Sequence, residues 1–122
     1  MHNSIIIRFA KQNNMVKQKK MYLILREDLA YKYIQGAHAL AKYAWFYTDK
    51  FCHWGNEYLI CLSVFNGRAL EKVFSKMMEL PDKCKWAVFR EPDLDDAVTA
   101  ICFYHTSKSF DRIIKKLHLA SK

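Results

Sequence analysis

Between Met21 and Tyr104 the chain offers four short apolar runs, Met21–Arg26, Glu57–Val64, Lys85–Phe89 and Val98–Tyr104. The first two gaps between them carry helical periodicity. This alternation constrains the fold most, because strand–helix–strand units call for parallel neighbours joined by right-handed crossovers. The first run lacks strict apolar–polar alternation, as a strand buried on both faces does. A helix is predicted over about 31–47, with Ile34, Ala37, Leu40, Ala41, Ala44 and Trp45 as its buried stripe. A second, over about 67–80, starts at an Asn66 N-cap, buries Leu70, Val73, Phe74 and Met77, and stops before Pro81. A third is predicted over 107–118, with Phe110, Ile113, Ile114 and Leu117 on one face. The segment Arg90–Ala97 is long enough for the last two strands to pair in either orientation. The predicted class is α/β: a four-stranded mixed sheet with helices packed on its faces, in the order β-α-β-α-β-β-α.

At 122 residues, with 52% apolar side chains, three Gly and two Pro, the chain suits one core over residues 21–122 and excludes long disordered tracts. No apolar run approaches the ~20 residues of a membrane span. Cys52, Cys61, Cys84 and Cys102 contain no Cys-x-x-Cys pair, which argues against a zinc knuckle or a dithiol site. Reduced cysteines and a cytoplasmic setting are expected. The net charge of +8 is concentrated at the ends. Residues 1–20 carry Arg8, Lys11, Lys17, Lys19 and Lys20 without an acid, and 105–122 carry Lys108, Arg112, Lys115, Lys116 and Lys122 against Asp111 alone. A near-neutral centre with two basic ends suits a protein that meets a polyanion, or a basic leader followed by a solvated helix face. Residues 1–20 are expected to be such an irregular leader, with Met15 and Met21 as alternative starts. An organelle matrix is the alternative location, since an acid-free basic terminus also resembles a transit peptide.

Two segments hold polar groups that the fold alone does not require. Lys32, Gln35 and His38 are three residues apart and share one side of the first helix. That helix start also offers free N–H groups to a phosphate or carboxylate. The second segment places Glu91, Asp93, Asp95 and Asp96 at a strand end, where α/β proteins bind ligands. Its carboxylates suit a general base, or an acidic loop of Asx turns. Trp45, Phe46, Tyr47, Phe51 and Trp54 gather near the end of the first helix, as a stacking platform, a core or an interface would.

These segments resemble, in order, three motifs of the Pth2-type peptidyl-tRNA hydrolase family. The run Lys20–Leu29 is similar to that family's opening strand, which ends in Arg-x-Asp-Leu. Gln35–Ala39, Gln-Gly-Ala-His-Ala, resembles the Gln-x-x-His-Ala of its first helix. Phe89–Leu94 with Val98–Ile101 resembles a compact, divergent branch. Two positions depart from the pattern: the family lysine four residues before the glutamine falls on Tyr31, with Lys32 one step away. The family loop Asp-Ala-Gly-Arg-Thr-Gln is replaced by Glu91–Asp96.

The resemblance implies hydrolysis of the ester between a peptide and tRNA, without a metal or organic cofactor. It implies Lys32, or the helix start, on the oxyanion or a phosphate, and Gln35 orienting water or the carbonyl. Glu91 or Asp93 would orient or deprotonate water, with Thr99 assisting. His38, Arg90, Lys115 and Lys116 are the expected binding residues for peptidyl-tRNA, giving salt-dependent affinity. A catalytically inactive tRNA- or protein-binding module on the same fold is the alternative. A homodimer joined through the aromatic cluster is a third reading.

Overall fold

The computed structural model describes residues 6–7 and 18–122. Strand β1 is Ile6–Ile7, β2 is Lys20–Arg26, and helices α1 and α2 follow at Lys32–Phe46 and Thr48–Trp54. Then come β3 (Tyr58–Val64), α3 (Gly67–Met78), β4 (Trp86–Glu91) and β5 (Ala97–Tyr104). The chain finishes with a one-turn α4 (Asp111–Ile114) and β6 (His118–Leu119).

The four long strands lie in the order β3-β2-β5-β4. β2 is parallel to β3 and antiparallel to β5, and β5 is antiparallel to β4. β2, β3 and β4 therefore end at the same edge of the sheet, where β5 begins. The expected four-stranded mixed sheet is present, enlarged by β1 and β6, which share the outer edge of β3. An open edge leaves N–H and C=O groups unpaired, and these two short strands satisfy part of it.

Alternation along the strands builds one core on each face. Met21, Leu23 and Leu25 pack with Ala39, Tyr43, Trp54 and Cys102 beneath α1 and α2. Tyr22 and Ile24 pack with Leu70, Val73, Met77 and Ile113 beneath α3 and α4. On that second face Tyr22, Phe103 and Phe110 form a continuous ring stack, with centroids 5.2 and 4.2 Å apart. Asn66 caps α3 as expected, its Oδ1 accepting the Ala69 N–H at 3.0 Å. Cys61, Cys84 and Cys102 are buried free thiols and Cys52 is exposed. Among the described residues no helix is long and apolar enough to cross a membrane.

Two expectations, the buried stripe of α1 and the last helix, need correction. The buried face of α1 is Lys32, Gln35, Gly36, Ala39 and Tyr43, not the stripe read from the sequence. Ile34 and Trp45 instead point outward. Residues 48–54 form a separate helix, α2, seated by Trp54, whose indole N–H donates to the Tyr58 carbonyl at 2.8 Å. The helix expected over 107–118 is reduced to a 3-10 turn at Lys108–Phe110 and α4, because the chain turns back to pair as β6. The leader expected over residues 1–20 falls largely outside the described residues. Within them, Ile6–Ile7 pair with β3, Lys20 opens β2, and the Lys19 N–H donates to Glu57 at 2.9 Å.

One carboxylate ties the carboxyl-terminal residues to the rest. Glu27, just past β2, accepts hydrogen bonds from Lys32 Nζ at 2.6 Å and from the Ser63 hydroxyl at 2.7 Å. It also accepts the Ser121 N–H at 2.9 Å and the Ser121 hydroxyl at 2.7 Å. Lys32 Nζ reaches the Ser121 hydroxyl as well, at 2.7 Å, and the Tyr33 hydroxyl donates to the Ser121 carbonyl. The Ala120 N–H closes the arrangement on the Cys61 carbonyl at 2.8 Å.

Burial alone would raise the Glu27 pKa, but the bonds from Lys32, the Ser121 N–H, Ser63 and the Ser121 hydroxyl lower it from 4.5 to about 2. A depressed carboxylate pKa gives stability that is present above the unfolded value and lost as pH falls toward the folded one. After discounting for partial exposure, Glu27→Gln should cost about 2 kcal/mol in urea unfolding near neutral pH. The gap to wild type should narrow below pH 4.5 and close near about 2. A gap constant across that window would mean that the charge is not its source.

Helix α1 meets the sheet most closely at Gly36, where an added Cβ would lie 2.8 Å from Leu25 Cδ2 and 3.1 Å from Leu23 Cδ1. Gly36→Val should therefore lower stability by about 2 kcal/mol through overpacking, despite the better helix propensity of valine. Thermal unfolding checks this; an unchanged midpoint would show that α1 can lift off the sheet without cost.

Candidate functional site

The first turns of α1 hang over the edge where β2, β3 and β4 end. Four of the buried polar side chains collect there: Lys32, Gln35, Ser63 and Thr99. Polar groups withdrawn from water must find partners, and these do so in two adjoining clusters.

Gln35 centres the first. Its Oε1 accepts the Thr99 hydroxyl at 2.7 Å and its Nε2 donates to Glu91 Oε1 at 3.1 Å. A β-bulge brings Thr99 to this face: Phe89 pairs with Ala100 and Arg90 with Val98, which leaves Thr99 as the extra residue of β5. Thr99 and Ala100 then both turn toward α1. The bulge is local backbone geometry with no signature in the apolar pattern. The amide of Gln35 is thereby fixed in one orientation, since its oxygen meets a hydroxyl and its nitrogen a carboxylate.

Lys32, one turn earlier, belongs to the second cluster with Glu27, Ser63 and Ser121. Its ammonium bonds Glu27 and Ser121 and lies 5.3 Å from the centre of the Tyr33 ring. Beside this cluster runs a groove of about 400 Å³, lined by Glu27, Ser63, Phe65, Lys116, His118 and Leu119 among others. Phe65, 84% exposed, stands at its wall.

The expected site residues thus separate. Gln35, Glu91 and Thr99 come together, while Lys32 lies on the same helix face but turns to Glu27. His38 is exposed and stacks flat on Phe89, with centroids 4.5 Å apart. Asp93 sits exposed on the 3-10 turn Pro92–Leu94, outside both clusters. Arg90 points to the other face of the sheet, its guanidinium 5.1 Å from the Phe74 ring centroid and 3.1 Å from the Asp96 carbonyl. Lys115 and Lys116 are exposed beyond α4, and Lys116 alone reaches the groove beside Glu27. Sequence reasoning missed Glu27, Ser63 and Ser121. Glu27 was readable only as the polar residue ending a strand, and nothing local marks a serine near the end of the chain.

Chemically, the arrangement offers a cationic donor at Lys32, an oriented amide at Gln35 and a carboxylate at Glu91. Such a set can polarise a carbonyl and place water beside it.

No protein-family model matches the sequence, and no curated protein matches it. Among solved structures, the chain is similar to a protein of unknown function from Agrobacterium tumefaciens. The two share 14% sequence identity and a TM-score of 0.55, over 87% of this chain and all of that one. At that identity the likeness concerns the fold alone, an α/β architecture with a mixed sheet.

Proposed function

We propose that this protein is an ester hydrolase of the peptidyl-tRNA hydrolase type. The observation that carries the reading is the Gln35–Thr99–Glu91 cluster beside Lys32, which joins two of the three motif regions at one strand edge. In the reaction, water oxygen bonds to the ester carbonyl carbon, the ester C–O bond breaks, and the leaving ribose hydroxyl takes up a proton. Gln35 orients the water, Glu91 accepts its proton and returns it to the leaving ribose oxygen, and Lys32 stabilises the oxyanion. Thr99 holds Gln35 in register. Lys115 and Lys116 supply positive charge for the tRNA backbone, Arg90 being turned to the other face of the sheet, and His38 with Phe89 offers a flat surface at the rim.

A second reading is favoured by one specific observation. Lys32 already forms a 2.6 Å ion pair with Glu27, so its charge is spent internally. On that reading the fold is a catalytically silent tRNA-binding module.

Incubation of the purified protein with labelled peptidyl-tRNA separates the two. The hydrolase reading expects release of free peptide, with Gln35→Ala and Lys32→Ala each lowering kcat at least about ten-fold while far-UV circular dichroism is retained. Absence of release by the wild type, together with tRNA affinity that falls steeply with salt, would leave only the binding module.

A further inference from the structure

Helices α3 and α4 cover the same face of the sheet, and the seam between α3 and the chain from α4 to β6 is basic. Beside the carboxyl-terminal half of α3 the seam opens into a pocket of about 250 Å³. Lys76, Arg112, Lys115 and Lys116 line it, with Leu80 and Ile113 as its apolar lining and Glu79 as its one acid. Arg112, Lys115 and Lys116 converge because they stand three and four residues apart around one helical turn. None of the four cations forms an ion pair among the described residues. Like charges gathered without a counter-charge repel one another, so the pocket attracts anions. Lys116 also lines the groove beside Glu27, at whose wall the exposed Phe65 stands. Pocket and groove share this side chain and form one track along α3. From Ala69 in the groove to Lys76 in the pocket is roughly 10 Å of helix axis, which is longer than a single phosphate.

We infer that this track binds single-stranded nucleic acid, with successive phosphates on Lys76, Arg112, Lys115 and Lys116 and a base stacked on Phe65. Cations along a groove with an aromatic ring at its wall are what a single strand requires, since its backbone is charged and its bases are free to stack. A duplex keeps its bases inward and leaves Phe65 nothing to stack on. A membrane surface is flat and does not reach the cations inside the seam. A lone phosphate engages the pocket and leaves the groove unused. Two further cations, Arg68 and Lys72, are exposed on α3 at four-residue intervals before Lys76 and extend the positive field beside the track. The groove end of the track borders Glu27, so a strand lying in it leads toward the sheet edge that holds Lys32 and Gln35. The inference rests on the proposed function for its class of partner, and not on ester cleavage.

Fluorescence anisotropy of the full chain with a fluorescein-labelled oligouridylate, about twelve nucleotides long, tests it. The wild type should bind with a log–log salt slope of about −3, as four phosphate contacts on a single strand give. Arg112→Ala combined with Lys116→Ala should weaken binding at least about ten-fold and flatten the slope to about −1.5. Phe65→Ala should weaken it at least about five-fold and leave the slope unchanged. Lys42→Ala, on the opposite face of the sheet, should leave affinity as it is. Should the double variant lose its far-UV spectrum, Lys76→Ala combined with Lys115→Ala makes the same measurement from the rest of the pocket. Four results would each overturn the assignment: no binding at about 50 mM salt, tighter binding of an adenylate–uridylate duplex of equal length, indifference to Phe65→Ala, or a loss in Lys42→Ala as large as in the double variant. Strand binding without peptide release counts against the hydrolase reading alone, and peptide release without strand binding counts against this inference alone.

Discussion

The carboxylate of Glu27 holds together parts of the chain that no other contact unites so closely. Within one hydrogen-bond radius it gathers the end of β2, Ser63 on β3, the first turn of α1 through Lys32, and Ser121. A buried or half-buried charge costs free energy unless its lone pairs are filled, and four donors fill these. The same requirement explains Lys32. A lysine at the start of a helix opposes the helix dipole, and here it is tolerated because its ammonium bonds outside the helix to a carboxylate. Removing either partner strands the other, so the pair constrains the position of α1 more than it adds to net stability.

That constraint passes directly to the site. Gly36 lets α1 lie close on Leu23 and Leu25, and Lys32 fixes its first turn. Gln35, between these two anchors, is left little freedom, and the bulge at Thr99 meets it from the sheet. The Gln35–Glu91 bond then spans 56 positions of sequence to join a helix with a strand end. Placement of a polar group by elements rather than by a loop is what makes a preorganised site.

How much of this the sequence disclosed follows from the kind of signal involved. The four long strands, α3 with its Asn66 cap, and the meeting of Gln35 with Glu91 were legible, because strand runs, caps and motif order are local or ordinal features. The phase of α1 was not. Apolar residues lie on both sides, Ala39 and Tyr43 on one and Ile34, Ala37, Ala41 and Trp45 on the other, so periodicity identifies a helix without fixing which side meets the sheet. The deciding fact is that Lys32 and Gln35, polar residues, occupy the inner face, and only the positions of Glu27 and Thr99 make that burial tolerable. The departures at the end of the chain have the same origin. Phe110, Ile113, Ile114 and Leu117 do have helical spacing, yet the open edge of β3 offers backbone hydrogen bonds that compete with a longer helix. Two-residue strands such as β1 and β6 have no periodicity to read.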